Sequence, residues 1–358
     1  MVLHLRGEVL PDGKERDVYV VEGRITFEAD ASAQTILSGG YLLPGLVDCH
    51  AHLALASPAP SGASAEEQIR ASAEAQLAVG VLALREPGSP NRLSNGLGPQ
   101  VGLPRTFSAG RFLTAPGMYF PGLAEEATGA RLPDAAAAEA RASGQWVKII
   151  GDFWDASGDV TANFEPHALA EAAARVHALG ARIAIHALQT DVIEAAIAAG
   201  FDSIEHGVLL QAEHIQEMAR RNIAWVPTLI IRHEVPELAG HLGSSAAEVE
   251  RIQSGFDRQP AMVRRAVDAG VLVLAGTDAG LVPHGVILSE IKELLGAGLT
   301  PTQALGAASW DARSFLGLPG IEEGAVADLV AYASDPRLDP EVLQHPVVRI
   351  LDGVNLAR

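Results

Sequence analysis

The sequence predicts an α/β chain, a (β/α)8 TIM-like barrel with a small discontinuous β-sandwich-like domain formed by both termini. Three observations carry this expectation. After Pro44-Gly45, short apolar runs alternate with Ala-rich helical patterns, the rhythm of repeated βα units and a parallel sheet. Those runs number eight, and eight parallel strands with intervening helices close most naturally into a barrel. Before Pro44 and beyond Gly317 the texture changes to short strands with turn punctuation. The expected boundaries are 1–43 and 319–358 for the two parts of the small domain and 44–318 for the barrel. A chain of 358 residues is long enough for both.

The elements follow in order. Leu3-His4-Leu5, residues 18–21 and Ile25-Thr26-Phe27 read as strands separated by Pro11-Asp12-Gly13 and Glu22-Gly23. The first barrel strand ends in Leu46-Val47-Asp48-Cys49-His50-Ala51-His52. Ser64 with Glu67 three residues later is a capping box, and Gly80 stops the helix that it starts. Strands are expected at 81–84, 106–109, 146–150, 182–186, 202–206, 224–229 and 271–275, with helices at 134–142, 166–179, 191–199 and 212–221. The stretch 111–132 reads as a loop, and 244–269 as a helix broken near Pro260. Thr300, Pro301 and Gln303 mark another helix start. Residues 324–332 and 347–350 read as strands that return to the N-terminal unit.

Composition narrows the partners. The chain has 48% hydrophobic residues and 26 basic against 44 acidic ones, a formal charge of −18, which repels nucleic acid and anionic membranes. The expected partner is a small-molecule substrate, with no nucleic acid and no membrane; homo-oligomerisation stays open. The first residues carry no secretory pattern, and no apolar run approaches the roughly 18 residues that span a bilayer, so a cytoplasmic location is expected. The single cysteine, Cys49, excludes an internal disulfide. Between an aspartate and a histidine on a strand, it reads as a buried structural thiol.

Polar residues stand at strand ends where a core would take apolar ones. His50 and His52 share one face because strand side chains alternate, and two neutral imidazoles on one face can chelate a divalent cation. Lys148, His186, His206 and Asp278 end other strands, and barrel strand ends ring a common pocket. Singly, each has an ordinary reading: His186 and His206 as satisfied core histidines, Asp278 as a turn cap. Lys148 lies among Val147, Ile149 and Ile150, where an unpaired charge would lose its hydration. Either Asp152 or Asp278 pairs with it, or the neutral amine captures carbon dioxide as a carbamate that bridges two metals.

These residues resemble the amidohydrolase superfamily of metal-dependent hydrolases over nearly the whole chain. The resemblance rests on Leu43-Pro44-Gly45-Leu46-Val47-Asp48-Cys49-His50-Ala51-His52, the strand-four lysine, Ile185-His186-Ala187, Glu205-His206-Gly207, Gly276-Thr277-Asp278-Ala279-Gly280, Gly298-Leu299-Thr300-Pro301 and Gly324-Ala325-Val326-Ala327-Asp328-Leu329-Val330. It implies that His50, His52 and Asp278 hold one divalent ion, that His186 and His206 hold a second, and that carboxylated Lys148 bridges them. The chain is most similar to the branch containing imidazolonepropionase and prolidase-like dipeptidases. Zinc is the expected ion. The implied reaction is cleavage of an amide, dipeptide-like or cyclic-amide C–N bond by a metal-activated hydroxide, with Asp278 moving the proton and Lys148 and His206 completing the catalytic set.

Alternatives on the same centre are a mononuclear imidazolonepropionase-like enzyme or deaminase, and an esterase or lactonase. From another class, a non-catalytic scaffold would bind without chemistry. Family members often carry Gly-Arg and then Gly-Gly-His after strand three, where this chain has Gly110-Arg111 and Gly117-Met118-Tyr119. Arg111 and Tyr119 are therefore candidate substrate contacts, as are Arg232, His233 and His284 beyond later strands. Arg85 is expected to pair with Glu86 or Asp48.

Overall fold

The computed structural model describes residues 2–356, and their fold is mixed α/β. Leu3–Val9 buries alternate residues, pairs antiparallel with Lys14–Val21 and runs parallel to the long strand Gln34–Pro44. This sheet has seven strands, and Leu329–Tyr332, Val348–Leu351 and Val354–Asn355 come from the other end of the chain. Leu329 lies opposite Pro44. The sheet has its own apolar cluster, including Leu5, Val18, Ile25, Leu42, Leu329 and Ile350. Gly40 sits at φ 102°, and a Cβ there would fall 2.5 Å from the Tyr332 carbonyl oxygen, so the approach of these strands requires glycine.

Pro44 leads into parallel structure. Leu46–Asp48 pairs with Val81–Glu86, which pairs with Arg105–Ser108. A second arc contains, in spatial order, Ala124–Glu126, Phe112–Thr114, Trp146–Ile150, Arg182–Ala187, Ser203–His206 and Ala224–Val226. A bridge from Ser89 to Arg111 links the arcs on one side. On the other, Leu274 N–H donates to the Trp225 carbonyl and Cys49 N–H to the Ala275 carbonyl, each over 2.9 Å. The Ala-rich helices lay small side chains against this circuit; Pro166–Ala178 buries Ala168, Leu169, Ala172, Ala173 and Val176 on one stripe. Capping boxes at Ser64/Glu67 and Thr300/Gln303 start Ala65–Ala78 and Pro301–Ala307.

Several elements depart from expectation. Residues 111–132 contain the strands Phe112–Thr114 and Ala124–Glu126, too short to show an alternating pattern. Asp152–Trp154 and Val160–Ala162 form a hairpin that the sequence reading passed over. The eighth expected strand, 271–275, pairs through the single bridge of Val273 to Trp225, in which Trp225 N–H donates to the Leu272 carbonyl and its own carbonyl accepts from Leu274 N–H. Pro260 does not break its helix. Ala246–Asp268 runs through it with Phe256 and Val263 fully buried on either side, and that packing outweighs the lost hydrogen bond. No helix among the described residues is long and apolar enough to cross a membrane.

Candidate active site

Asp48 fixes the first part of the site. Fully buried, it accepts from the backbone N–H groups of His50 (3.1 Å) and Thr277 (3.0 Å), the Thr277 hydroxyl (2.6 Å) and Gln76 Nε2 (3.0 Å). It thereby ties the end of the first parallel strand to the Gly276-Thr277-Asp278 turn. The His50 carbonyl accepts from Asp278 N–H over 2.7 Å, and Asp278 takes φ 53°, a conformation that aspartate tolerates better than most residues.

The imidazoles are oriented by what their Nδ1 atoms meet. His50 Nδ1 lies 2.7 Å from Glu205 Oε2, His52 Nδ1 2.8 Å from the Gly88 carbonyl, and His206 Nδ1 2.8 Å from the Thr228 hydroxyl oxygen. The Thr228 hydroxyl donates to the Pro227 carbonyl, so it accepts from His206. Each Nδ1 therefore carries a proton, and each Nε2 presents a lone pair. His50 Nε2 and His52 Nε2 stand 3.1 Å apart, and Asp278 Oδ1 lies 3.2 and 3.1 Å from them. Burial lowers His52 and His206, which disfavours imidazolium. Three acceptors thus converge where one proton could serve only one contact, and a small cation suits them all. Donor atoms of His50, His206 and Asp278 all fall within 4.8 Å of one another, and His and carboxylate donors suit zinc and several other divalent ions.

Lys148 projects from a fully buried strand, and its Nζ has no hydrogen-bond partner among the described residues. Burial lowers it to about 8. The ion pair that was one alternative for Lys148 is not formed with Asp278, nor with Asp152, which accepts instead from Leu188 N–H and Gln189 N–H. Asp152 Oδ1 also stands 3.5 Å from His186 Nε2, which has no hydrogen bond. Burial lowers His186 to about 3. Its ring centroid is 4.6 Å from that of His206.

All six predicted ligands line one cavity of about 410 Å3. Tyr119 joins them there, its ring 4.9 Å from Phe153 and 5.3 Å from Phe112. The other candidate substrate contacts do not line it. Arg111 pairs with Glu125 (2.6 Å) and Glu139 (3.2 Å), and Arg232 with Glu293 (3.0 Å) and exposed His233 (3.1 Å). His284 bonds the Leu55 carbonyl over 2.9 Å. Arg85 pairs with neither Glu86 nor Asp48. It holds Glu205 over 2.7 Å, bonds Ser203 and the Cys49 carbonyl at 2.8 Å each, and lies 4.8 Å over the Trp146 ring. Cys49 is buried as expected, its thiol pushed up to about 12 by desolvation.

The sequence reading missed the supports. Glu205 is fully buried and, although burial opposes it, Arg85 and His50 keep its carboxyl well below the ordinary range. Unlike Lys148, Glu205 stands among polar neighbours, Ser203 and His206, so the local sequence did not set it apart as a buried charge. Nothing local singled out Trp225 Nε1 and Gln259 Nε2, which donate to the His206 carbonyl over 2.9 and 2.6 Å and hold His206 at φ 64°.

The amidohydrolase family model matches residues 153–356. The chain belongs to the amidohydrolase family. This amidohydrolase is a hydrolase of carbon–nitrogen bonds acting on small molecules, and the matched region includes His186, His206 and Asp278. It is 41% identical over 354 residues, 98% of this chain and 95% of the relative, to an uncharacterised protein of Mycobacterium tuberculosis. Over 160 residues, 43% of this chain and 33% of the relative, it is 30% identical to an ochratoxinase of Aspergillus niger. In fold the amidohydrolase is similar to a Xaa-Pro dipeptidase with methionine in its active site, with TM-score 0.82 and 22% identity, covering 100% of this chain and 99% of that one. The A. niger ochratoxinase structure gives TM-score 0.81 at 20% identity, covering 99% and 95%.

Proposed function

We propose that this amidohydrolase is a binuclear, zinc-dependent hydrolase of small amides. Its circuit of parallel segments is read as a (β/α)8 barrel over 44–318, with 1–43 and 319–358 as the two parts of a small β domain. The observation that carries the functional reading is the convergence of the proton-free Nε2 atoms of His50 and His52 on Asp278 Oδ1, beside a buried lysine without a partner. His50, His52 and Asp278 would hold one ion, and His186 and His206 the second. Lys148 would join them as a carbamate. An amine lowered to about 8 has a neutral fraction at ordinary pH, and its nitrogen forms the new bond to carbon dioxide while one proton leaves to solvent.

Bound divalent ions supply Lewis acidity toward the scissile carbonyl and a water of lowered pKa. Asp278, ionised and facing that position, accepts the proton of the attacking water and returns it to the departing nitrogen. Glu205, Gly88 and Thr228 keep the imidazoles in the tautomer that presents Nε2. The aromatic wall around Tyr119 and Phe153 excludes bulk water.

A mononuclear reading is favoured by one observation, the closeness of His50, His206 and Asp278 donor atoms. Elemental mass spectrometry on protein purified without chelator separates the two. About two ions per chain, with amide hydrolysis lost on chelation and restored by zinc and bicarbonate, is the expected result. One ion with full activity selects the mononuclear centre, and none after reconstitution overturns the hydrolase reading.

A further inference from the structure

The cavity around the candidate centre has a chemical character of its own. Beyond the six proposed ligands, Tyr119 is the one ionisable side chain among the described residues that line it. The wall is built instead from Phe112, Tyr119, Phe120, Phe153, Trp154 and Phe256, with leucine, isoleucine and valine between them. Phe153 is the hub, its ring 4.9 Å from Tyr119, 5.1 Å from Phe120 and 5.3 Å from Trp154. Burial raises the Tyr119 phenol, so it stays neutral. The indole N–H of Trp154 is buried without an acceptor. The arginines expected as substrate contacts, Arg111 and Arg232, are held by Glu125, Glu139 and Glu293 and lie outside the lining. No carboxylate other than Asp278 lines the cavity to meet an ammonium group.

Resting on the hydrolase reading above, we propose that the substrates are uncharged amides carrying aromatic or other bulky apolar groups, and that dipeptides with free charged ends are poor substrates. A cavity of about 410 Å3 is the size that encloses a two-ring molecule. Aromatic groups bury their area on this wall and stack edge to face on it. A free carboxylate or ammonium group would lose its hydration against this wall and find no counter-charge on it, since outside the centre the lining carries no charged side chain.

The test uses three matched chromogenic amides on the zinc- and bicarbonate-loaded enzyme: N-acetyl-phenylalanine p-nitroanilide, which is neutral, phenylalanine p-nitroanilide, which carries an ammonium group, and N-succinyl-phenylalanine p-nitroanilide, which carries a carboxylate. The expected result is kcat/KM for the neutral compound about a hundred-fold above either charged one, the discrimination that desolvating an unpaired charge produces. Calorimetric binding of the same three compounds runs beside it. Preferential binding of the neutral compound without turnover of any supports the assigned ligand class and counts against the hydrolase reading alone. Equal or better use of a charged compound, or binding of none, overturns the proposal. Leu281, 38% exposed on the rim of the cavity, can carry a charge without a buried cost. Leu281→Arg should reduce the preference for the neutral over the succinyl compound about ten-fold, and an unchanged ratio overturns the attribution of selectivity to the uncharged wall.

Discussion

His50 gives its Nδ1 proton to Glu205 across 2.7 Å, and Glu205 is held in turn by Arg85 at the same distance. All three side chains are buried, so the charge pair is shielded from water and the imidazole has one orientation. The lone pair of Nε2 is aimed at Asp278 before any ion arrives.

Replacing Glu205 therefore acts on metal affinity without touching a proposed ligand. Glu205→Gln removes the negative charge opposite Arg85 and lets either amide group face His50. Metal affinity should fall about 10–100-fold, read by competition with a chromogenic chelator. Unchanged affinity would remove Glu205 from any orienting role.

Lys148→Ala should lower the metal content from about two ions per chain to one or none and reduce turnover by orders of magnitude. In the wild type, reactivation of the apoprotein at a fixed concentration of dissolved carbon dioxide should quicken from about pH 7 to 9, since the neutral amine fraction rises through the lysine value of about 8. A rate indifferent to bicarbonate at every pH would sink the carbamate.

Asp278→Asn preserves the left-handed backbone, which asparagine tolerates, but the amide cannot take a proton. The variant should fold with an unchanged circular dichroism spectrum and lose about 10²–10⁴-fold in kcat. A folded variant of normal kcat would end the proton-transfer assignment.

Glu290 predicts how stability follows pH. Fully buried, it accepts from Leu229 N–H and Ile230 N–H at 3.0 Å each, and burial raises it to about 8. Its folded value lies above its unfolded one, so its stabilising contribution is complete below about pH 4.5 and is lost as pH rises through about 8. The contribution is on the order of a few kcal/mol. Thermal midpoints of metal-free protein should decline across that window. The decline should be shallower in Glu290→Gln, and an identical slope would contradict the assignment.

Much was legible in the sequence because it is written locally. Capping at Ser64 and Thr300, glycine stops such as Gly80, and the apolar runs around Lys148 and His186 each follow from a few adjacent residues. The six polar positions were readable for a similar reason, since a charge or imidazole in or just beyond a buried strand needs a partner or a ligand, although Lys148 is central in its strand and His50, His52 and Asp278 follow theirs rather than end them. The tertiary structure alone decided who those partners are. Arg85 chose Glu205, separated from it by 120 positions, rather than adjacent Glu86, because strand alternation and sheet order set direction and neighbours across the fold. It also decided that Arg111 and Arg232 face glutamates instead of substrate and that aromatic side chains from separate segments build one uncharged wall. Local propensity fixes a residue's element and face, whereas pairing energies and a cavity's chemistry depend on distances between remote residues, which exist only once the chain has folded.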